Sequence, residues 1–337
     1  MTLCEALHRL TNQGSLTRAE AAEVTREVMS GAATPAQIAA LLTALRMKGE
    51  TVEEITGFAE TMRAMATSIH ANRRPLVDTC GTGGDRLGTF NISTTAAFVV
   101  AGAGVAVAKH GNRSASSQCG SADVLEALGI RIDASPETVA TCIDEVGIGF
   151  LFARSLHGAM RHVAPIRSEL GFRTVFNLVG PLTNPANADG QVMGLYDARR
   201  VESIASVLLS LGVRHAFVVA GADGLDEISL SGPTHVAEAH NNTVRCYDIA
   251  PGEFGLSTAP VSALSGGTAT DNARLLQEVL SGKPGPHRDI VVLNVAPALV
   301  AGGGAQTLAE GVERAVESID SGAAAQKLAD LQRASNA

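Results

Sequence analysis

Over the first 70 or so residues the apolar positions recur every three or four places. Leu7, Leu10, Ala21, Val24, Val28, Ile38, Leu41, Leu42, Leu45, Ile55, Phe58 and Met62 carry the apolar face, with Glu, Arg and Lys between them. That period belongs to helices. Thr17-Arg18-Ala19-Glu20 and Thr51-Val52-Glu53-Glu54 set a hydroxyl three residues before a carboxylate, so that each satisfies the other's exposed amide and opens a helix. Gly31 and Pro35 interrupt the pattern. Residues 1–70 are therefore predicted to form a small all-helical unit.

The pattern changes at Asn72-Arg73-Arg74-Pro75. Pro75-Leu76-Val77 is a short apolar run ending in a glycine-rich loop, 94–103 has the uniform apolarity of a buried helix, and 105–108 reads as a buried strand ending at Lys109. Strand, helix and strand in succession predict a parallel α/β unit, whose ligands sit beyond the carboxyl ends of the strands. Helices follow at 121–128 (closed by Gly129) and 135–146 (capped at Ser135, closed by Gly147), then a strand at 148–152, a helix over 157–176 and a turn-rich hinge at 180–185. Strands at 192–196 and 216–220 flank a helix at 200–211, two more lie near 234–239 and 243–247, and the remainder is mainly helical. The expected fold class is α/β: a small all-helical domain plus a larger α/β domain with a mostly parallel central sheet.

Composition narrows the partners. The chain has 337 residues, 45% hydrophobic and 18% charged, enough apolar content for a large core and too little charge for disorder. A net charge of −8, two Tyr and no Trp argue against a nucleic-acid partner, which would need a basic surface and stacking platforms. The five cysteines show no CxxC spacing, so neither a disulfide framework nor a zinc site is expected. No basic segment followed by an apolar run opens the chain, and the apolar stretch 94–108 is too short for a bilayer. The expectation is a cytoplasmic protein with reduced thiols and no membrane partner.

The densest chemistry lies between residues 78 and 121. Asp78-Thr79-Cys80-Gly81-Thr82-Gly83-Gly84-Asp85 has three glycines in four residues, serving either as a cradle whose amides face a diphosphate or as a tight strand-to-helix turn. It matches neither GxGxxG nor GxxxxGK[ST], so neither nucleotide fold follows from it. Asn91-Ile92-Ser93-Thr94 gathers hydroxyls and amides at a helix start, suited to capping or to an anion. Lys109, Asn112, Arg113 and the serines at 114, 116 and 117 collect charge and donors after the next strand, a pattern pointing to phosphate. Asp226-Glu227 offers adjacent carboxylates after a glycine turn, either a surface feature or, beside a diphosphate, a Mg²⁺ site. His235-Val236-Ala237-Glu238-Ala239-His240 carries metal-ligand types, but strand alternation separates His235 from the other two, and it reads as structural.

Taken together, Asp78 to Asp85, Asn91 to Thr94, Lys109 to Ser117, Gly120 to Asp123, Arg167 to Pro185 and Asp223 to Ser229 closely resemble the anthranilate phosphoribosyltransferase family, in the family's order and over most of the chain. The resemblance implies transfer of the phosphoribosyl group of 5-phosphoribosyl 1-pyrophosphate (PRPP) to the amine of anthranilate, in tryptophan biosynthesis, with Mg²⁺ as cofactor. It also implies a homodimer and a cleft between two domains. Residues 1–70 joined by helices from about 156–185 would form one domain, and 71–155 with 186–337 the phosphoribosyl-binding one. Residue by residue, it makes Gly81, Gly84, Asp85, Thr89, Asn91, Ile92, Ser93, Thr94, Lys109, His110, Gly111, Asn112, Arg113, Ser114, Ala115, Ser116, Ser117 and Ser121 contacts of PRPP. Gly81, His110, Asn112, His157 and Arg167 would face anthranilate, Arg167 pairing with its carboxylate, and Ser93, Asp226 and Glu227 would hold Mg²⁺. No residue is assigned as general base. The chain departs from the family's His-Pro-Ala-Met at His157-Gly158-Ala159-Met160, which loosens the start of that helix. Two other classes share the scaffold, a pyrimidine nucleoside phosphorylase and a non-enzymatic nucleic-acid-binding relative; Asp226-Glu227 with Arg167 argue against the first, the net charge against the second.

Overall fold

A computed structural model of the chain describes residues 1–114 and 118–337. It begins with four helices, α1 (Leu3–Thr11), α2 (Arg18–Met29), α3 (Pro35–Lys48) and α4 (Val52–Met65). Each is opened by a threonine: Thr2, Thr17, Thr34 and Thr51 accept the amide three residues on, while Glu5, Glu20, Gln37 and Glu54 accept the cap's own amide. Glu54 does more than cap. Fully buried, it also accepts Leu16 N–H at 3.0 Å and pairs with Lys48 at 2.9 Å.

The larger part alternates strand and helix: β1 (Leu76–Thr79), α5 (Ile92–Gly102), β2 (Ala106–Gly111), α6 (Ser121–Ala127), α7 (Pro136–Thr141) running into a π-helical turn, and β3 (Ile148–Phe152). Short pieces follow, α8 (Ala153–Leu156), a 3₁₀ turn at 158–162, α9 (Ala164–Leu170) and α10 (Val175–Val179). Then come β4 (Gly190–Gly194), α11 (Val201–Ser210), β5 (His215–Gly221), β6 (Thr234–His240) and β7 (Thr243–Ile249). Four helices close the chain, α12 (Ala269–Leu280), α13 (Pro286–Ala301), α14 (Leu308–Asp320) and α15 (Ala323–Ser335).

The described residues form one seven-stranded sheet in the order β3-β2-β1-β4-β5-β6-β7. It is parallel from β3 to β5, and only β6 and β7 run antiparallel. The chain moves outward from β1 to β2 and β3, then returns to the other side of β1 at β4. The connections diverge between β1 and β4, and a crevice opens there beyond their carboxyl ends.

Two expectations need correction. Lys109 is expected in a loop, but pairing with β3 continues to Gly111↔Phe152, so Lys109 and His110 are buried strand residues. The single helix expected over 157–176 is broken. Pro165 has no amide to continue a helix from the preceding turn, and Gly171 at φ 65° ends α9 in the left-handed region.

One sheet face packs Val107, Phe217 and Val219 against α5 and α13. The other packs Ala216, Val218 and Ala237 against α11, in a core continuous with α1–α4. Val163, Ile166, Val175 and Phe176 of the broken segment join that second core. Two polar ties brace the junction: Arg200 pairs with Glu50 at 2.7 Å, and Arg63 Nε donates to Leu182 O at 2.7 Å.

Candidate active site

The glycine loop begins as an extension of the β1–β4 pairing. Cys80 and Thr82 donate their amides to Val192 O and Gly194 O at 3.0 and 2.9 Å. Gly83 and Gly84 then take φ of 67° and 78°, the left-handed turn that lifts the loop off the sheet. Gly83 N–H donates to Asp226 Oδ2 at 2.6 Å. The amides of Gly81, Gly84 and Asp85 meet no acceptor among the described residues. Close approach explains Gly81, where a Cβ would lie 2.7 Å from Asp226 Oδ2. It also explains Gly194, where a Cβ would overlap Asp226 O at 1.6 Å.

Asp226 and Glu227 are half-buried at the floor of this crevice. Desolvation raises both acids above the usual carboxylate range, and like charge adds to it, from Asp85 on Asp226 and from Asp226 on Glu227. Asp85 Oδ2 is buried without a partner. Buried oxygens crowded together without a matching cation suit a hard divalent ion, which prefers carboxylates and hydroxyls completed by phosphate oxygens. The fit is incomplete from protein alone: the three carboxylates do not close on one point among the described residues. Their loop is pinned from both sides. Asp223 accepts the hydroxyls of Ser229 (2.6 Å) and Ser231, and buried Asn294 of α13 clasps Ile228 through both its carbonyl and its amide at 2.7 and 2.9 Å.

The start of α5 meets this floor. Asn91 makes no side-chain cap; its amide reaches Cys119 O at 3.4 Å instead. Capping therefore does not account for Asn91, and Ile92 N–H turns back to Phe90 O at 2.8 Å. Ser93 N–H is directed to Glu227. Ile92 is buried and can offer only its backbone. Lys109 reaches across from β2 to Thr79 O, with Ser93 Oγ 3.5 Å away. Thr89 bridges to Ser265 in a short antiparallel contact at the rim.

Asp78, under Lys109, is fully buried. Its carboxylate accepts His110 N–H at 3.1 Å and Asn184 Nδ2–H at 2.9 Å, and Asn184 also donates to Ala108 O at 2.8 Å. Burial raises Asp78 to about 6, against the opposing pull of Lys109. Sequence reasoning assigns no role to Asp78 or Asn184. Their signal, a polar residue inside an apolar strand and an Asn inside a hinge, has meaning only once the two meet.

Helical pieces form the opposite wall. His157 Nε2 lies 3.3 Å from His110 Nε2, both rings buried. Desolvation lowers His157 to about 4 and His110 well below its ordinary value, so both are neutral. Arg167 lies on α9, its guanidinium 5.7 Å from the Phe176 ring centroid. Among the described residues no carboxylate pairs with it, Glu169 included, and burial lowers its pKa. Arg173, absent from the sequence reading, donates to Gly84 O and stacks 3.4 Å from the Tyr196 ring, so it ties this wall to the glycine loop.

Beyond β2 the chain folds tightly: a Cβ on Gly111 would strike Ser121 Oγ, and Asn112 N–H donates to that oxygen at 3.1 Å. Arg113 is already engaged, pairing with Asp123 at 2.8 Å and Glu126 at 2.9 Å, and Ser114 N–H donates to Asp123. A phosphate would compete with those acids for Arg113. Ala115, Ser116 and Ser117 lie outside the described residues.

A helical bundle set against a mostly parallel α/β unit, with an anion-facing glycine loop and paired carboxylates at the switch point, defines a transferase of the glycosyl transferase class. The model "Glycosyl transferase family, helical bundle domain" matches residues 5–66, and "Glycosyl transferase family, a/b domain" matches 73–325. An anthranilate phosphoribosyltransferase from Symbiobacterium thermophilum is 60% identical over 321 residues, 95% of this chain and 94% of that one. The crystal structure of the Thermus thermophilus anthranilate phosphoribosyltransferase superposes with a TM-score of 0.94 at 46% identity, covering 98% of this chain and 99% of the other. The Saccharomyces cerevisiae enzyme in complex with PRPP and Mg superposes at 0.89 with 28% identity, over 99% and 98%. The chain belongs to the anthranilate phosphoribosyltransferase family. No helix among the described residues is long and apolar enough to cross a membrane.

Proposed function

We propose that this chain transfers the 5-phosphoribosyl group of PRPP to the amine of anthranilate, giving N-(5-phosphoribosyl)anthranilate and pyrophosphate in tryptophan biosynthesis, with Mg²⁺. The observation that carries the reading is the floor of the crevice, where Asp85, Asp226 and Glu227 crowd beside open glycine-loop amides with excess negative charge that a metal-diphosphate would relieve.

In this reading the bond from the anomeric carbon to the pyrophosphate oxygen breaks as the amine nitrogen bonds to that carbon, and the amine loses a proton. The amides of Gly81, Gly84 and Asp85 and the opening of α5 at Asn91–Thr94 bind the phosphates, with Lys109 adding positive charge below. Ser93, Asp226 and Glu227 would hold Mg²⁺, which when bound supplies positive charge to the leaving pyrophosphate. Thr89, Asn112, Arg113, Ser114 and Ser121 line the approach. Arg167 pairs with the anthranilate carboxylate and so fixes the amine's direction, while neutral His110 and His157 give the ring an uncharged wall beside Gly81 and Asn112. An aromatic amine attacks without prior deprotonation, so no general base is assigned. The departure at Gly158 falls in the loosened turn beside His157, where a Cβ would meet open space.

Residues 1–70 with 156–185 are read as one domain, and 71–155 with 186–337 as the other; Val163 and Phe176 pack with α1–α4, in a core that runs on into Ala216 and Val218 of β5. A cytoplasmic homodimer is part of the same reading; Met47, 77% exposed on α3, suits a partner there, and light scattering would show twice the chain mass.

Following anthranilate fluorescence after addition of PRPP, with Mg²⁺ and with EDTA, tests the function. Loss that depends on both PRPP and Mg²⁺ is expected. Folded protein that leaves the signal unchanged would overturn the acceptor assignment.

A further inference from the structure

The sheet carries a second cluster of ligating groups at its other end. His215 opens β5 and stands directly opposite His240 of β6, while Glu238 lies one step diagonally across on the same face. The two imidazoles stack 4.0 Å apart and 8° from parallel, and His215 Nε2 lies 2.8 Å from Glu238 Oε1. One ligand atom from each of the three falls within 4.8 Å of the others. Strand parity does send His235 away, to Asp248 at 2.8 Å, but it leaves Glu238 and His240 together, and β5 supplies the third group.

We propose that His215, Glu238 and His240 form a binding site for a borderline transition-metal ion, Zn²⁺ in the first instance, with its remaining position open to water. The donor set is two imidazole nitrogens and one carboxylate oxygen, suited to zinc and foreign to Mg²⁺. Two bonds of about 2.0–2.1 Å at a tetrahedral angle place donors about 3.3 Å apart. The ion would take the place of the proton between His215 and Glu238, with a small rotation opening that contact. Tyr247 O–H donates to the other oxygen of Glu238 at 3.1 Å, the outer hydrogen bond that orients a metal-binding carboxylate. The ring nitrogens of His240, exposed at the end of β6, meet no hydrogen-bond partner among the described residues.

The site is separate from the crevice. β5 runs from His215 to Gly221, about 20 Å at the usual strand rise, and Asp226-Glu227 follow its far end. An ion here leaves the reacting groups untouched, and its failure would say nothing against the transferase reading.

The full chain, stripped with EDTA, exchanged into chelator-free buffer and supplied with saturating Mg²⁺, is titrated with Zn²⁺ against a chromogenic zinc chelator. One equivalent is expected. His240→Ala should lose at least roughly tenfold in affinity and Tyr247→Phe roughly 10- to 100-fold, both turning over anthranilate like the parent. Co²⁺ in place of Zn²⁺ should give a d–d spectrum without a thiolate charge-transfer band, which sets the site apart from exposed Cys4 and Cys246. Absence of zinc binding, affinity unchanged in His240→Ala, or a thiolate band would each overturn the proposal.

Discussion

On the sheet side of the crevice the backbone does the holding. Cys80, Thr82 and Gly83 spend their amides on β4 and on Asp226, and what remains open, at Gly81, Gly84 and Asp85, is rigidly aimed. The acids beneath are crowded and desolvated. On the helical side side chains do the holding, on short broken helices, and Arg167 offers a guanidinium without an acid partner among the described residues. The difference matches the two substrates: a diphosphate has many equivalent oxygens and calls for a fixed array of donors, whereas a small aromatic acid needs one counter-charge and a flat neutral surface. The sheet wall also needs glycine where atoms crowd, at Gly81 and Gly194 against Asp226.

The largest effect is expected from Asp226→Asn with Glu227→Gln. Turnover should fall about 10³-fold, the upper range for removing electrostatic stabilisation from a transition state, and the Mg²⁺ titration should flatten. An unchanged Mg²⁺ midpoint would remove the metal from this wall. Gly194→Ala attacks the same wall through packing alone. Its methyl would meet Asp226 O at 1.6 Å, so the acid loop must move. Turnover should drop about 10²-fold and stability by ~1–3 kcal/mol, the usual range for overpacking; thermal denaturation beside kinetics separates the two. Full activity in Gly194→Ala would show that the position of Asp226 is unimportant.

Across the crevice, Arg167→Ala should raise the KM for anthranilate about 30- to 150-fold, for loss of a charge-assisted pair, and leave that for PRPP within about twofold. Equal rises would mean that the arginine serves both substrates. The smallest effect is one of pH. His157 titrates at about 4 when folded and near its ordinary 6.5 when unfolded. The folded value is depressed, so stability is whole above pH about 6.5 and declines as pH falls toward 4, where the unfolded chain takes up the proton first. Asp78, raised to about 6, opposes this in the same window, so the comparison is with His157→Asn. Wild type should lose more Tm than the variant between those limits, and the anthranilate KM should show no inflection near 6.5. Identical Tm profiles would place a charged or solvated ring at 157.

How legible each part is follows from the range of its interactions. The threonine caps at Thr17 and Thr51 are local, three residues from their partners, and can be read from the sequence. The glycine loop, Ser93 and Asp226-Glu227 carry their composition openly, and the fold brings them together. Asn294, Asn184 and Arg173 escape a sequence reading because each acts on a distant neighbour: Ile228, Asp78 and Gly84 lie 66, 106 and 89 positions away. Gly194 escapes for the same reason, since Asp226 returns to it only after α11 and β5. Lys109 looks like a loop residue because nothing in Val105–Ala108 says where β3 will stop pairing. The 157–176 segment has helical spacing, but Pro165 and Gly171 outweigh it once Val163, Ile166 and Phe176 have to reach the helical core. The facing histidines at 215 and 240 emerge only with the β5–β6 register.

The central claim is that the two walls act as separate parts, one on the diphosphate and one on the acceptor. The most direct test is kcat/KM for anthranilate in Arg167→Ala, in Asp226→Asn/Glu227→Gln and in all three changes combined. Independent walls predict that the combined loss equals the product of the separate losses within about twofold. A combined loss no greater than the larger separate one, as for groups that act as a single unit, would contradict the division.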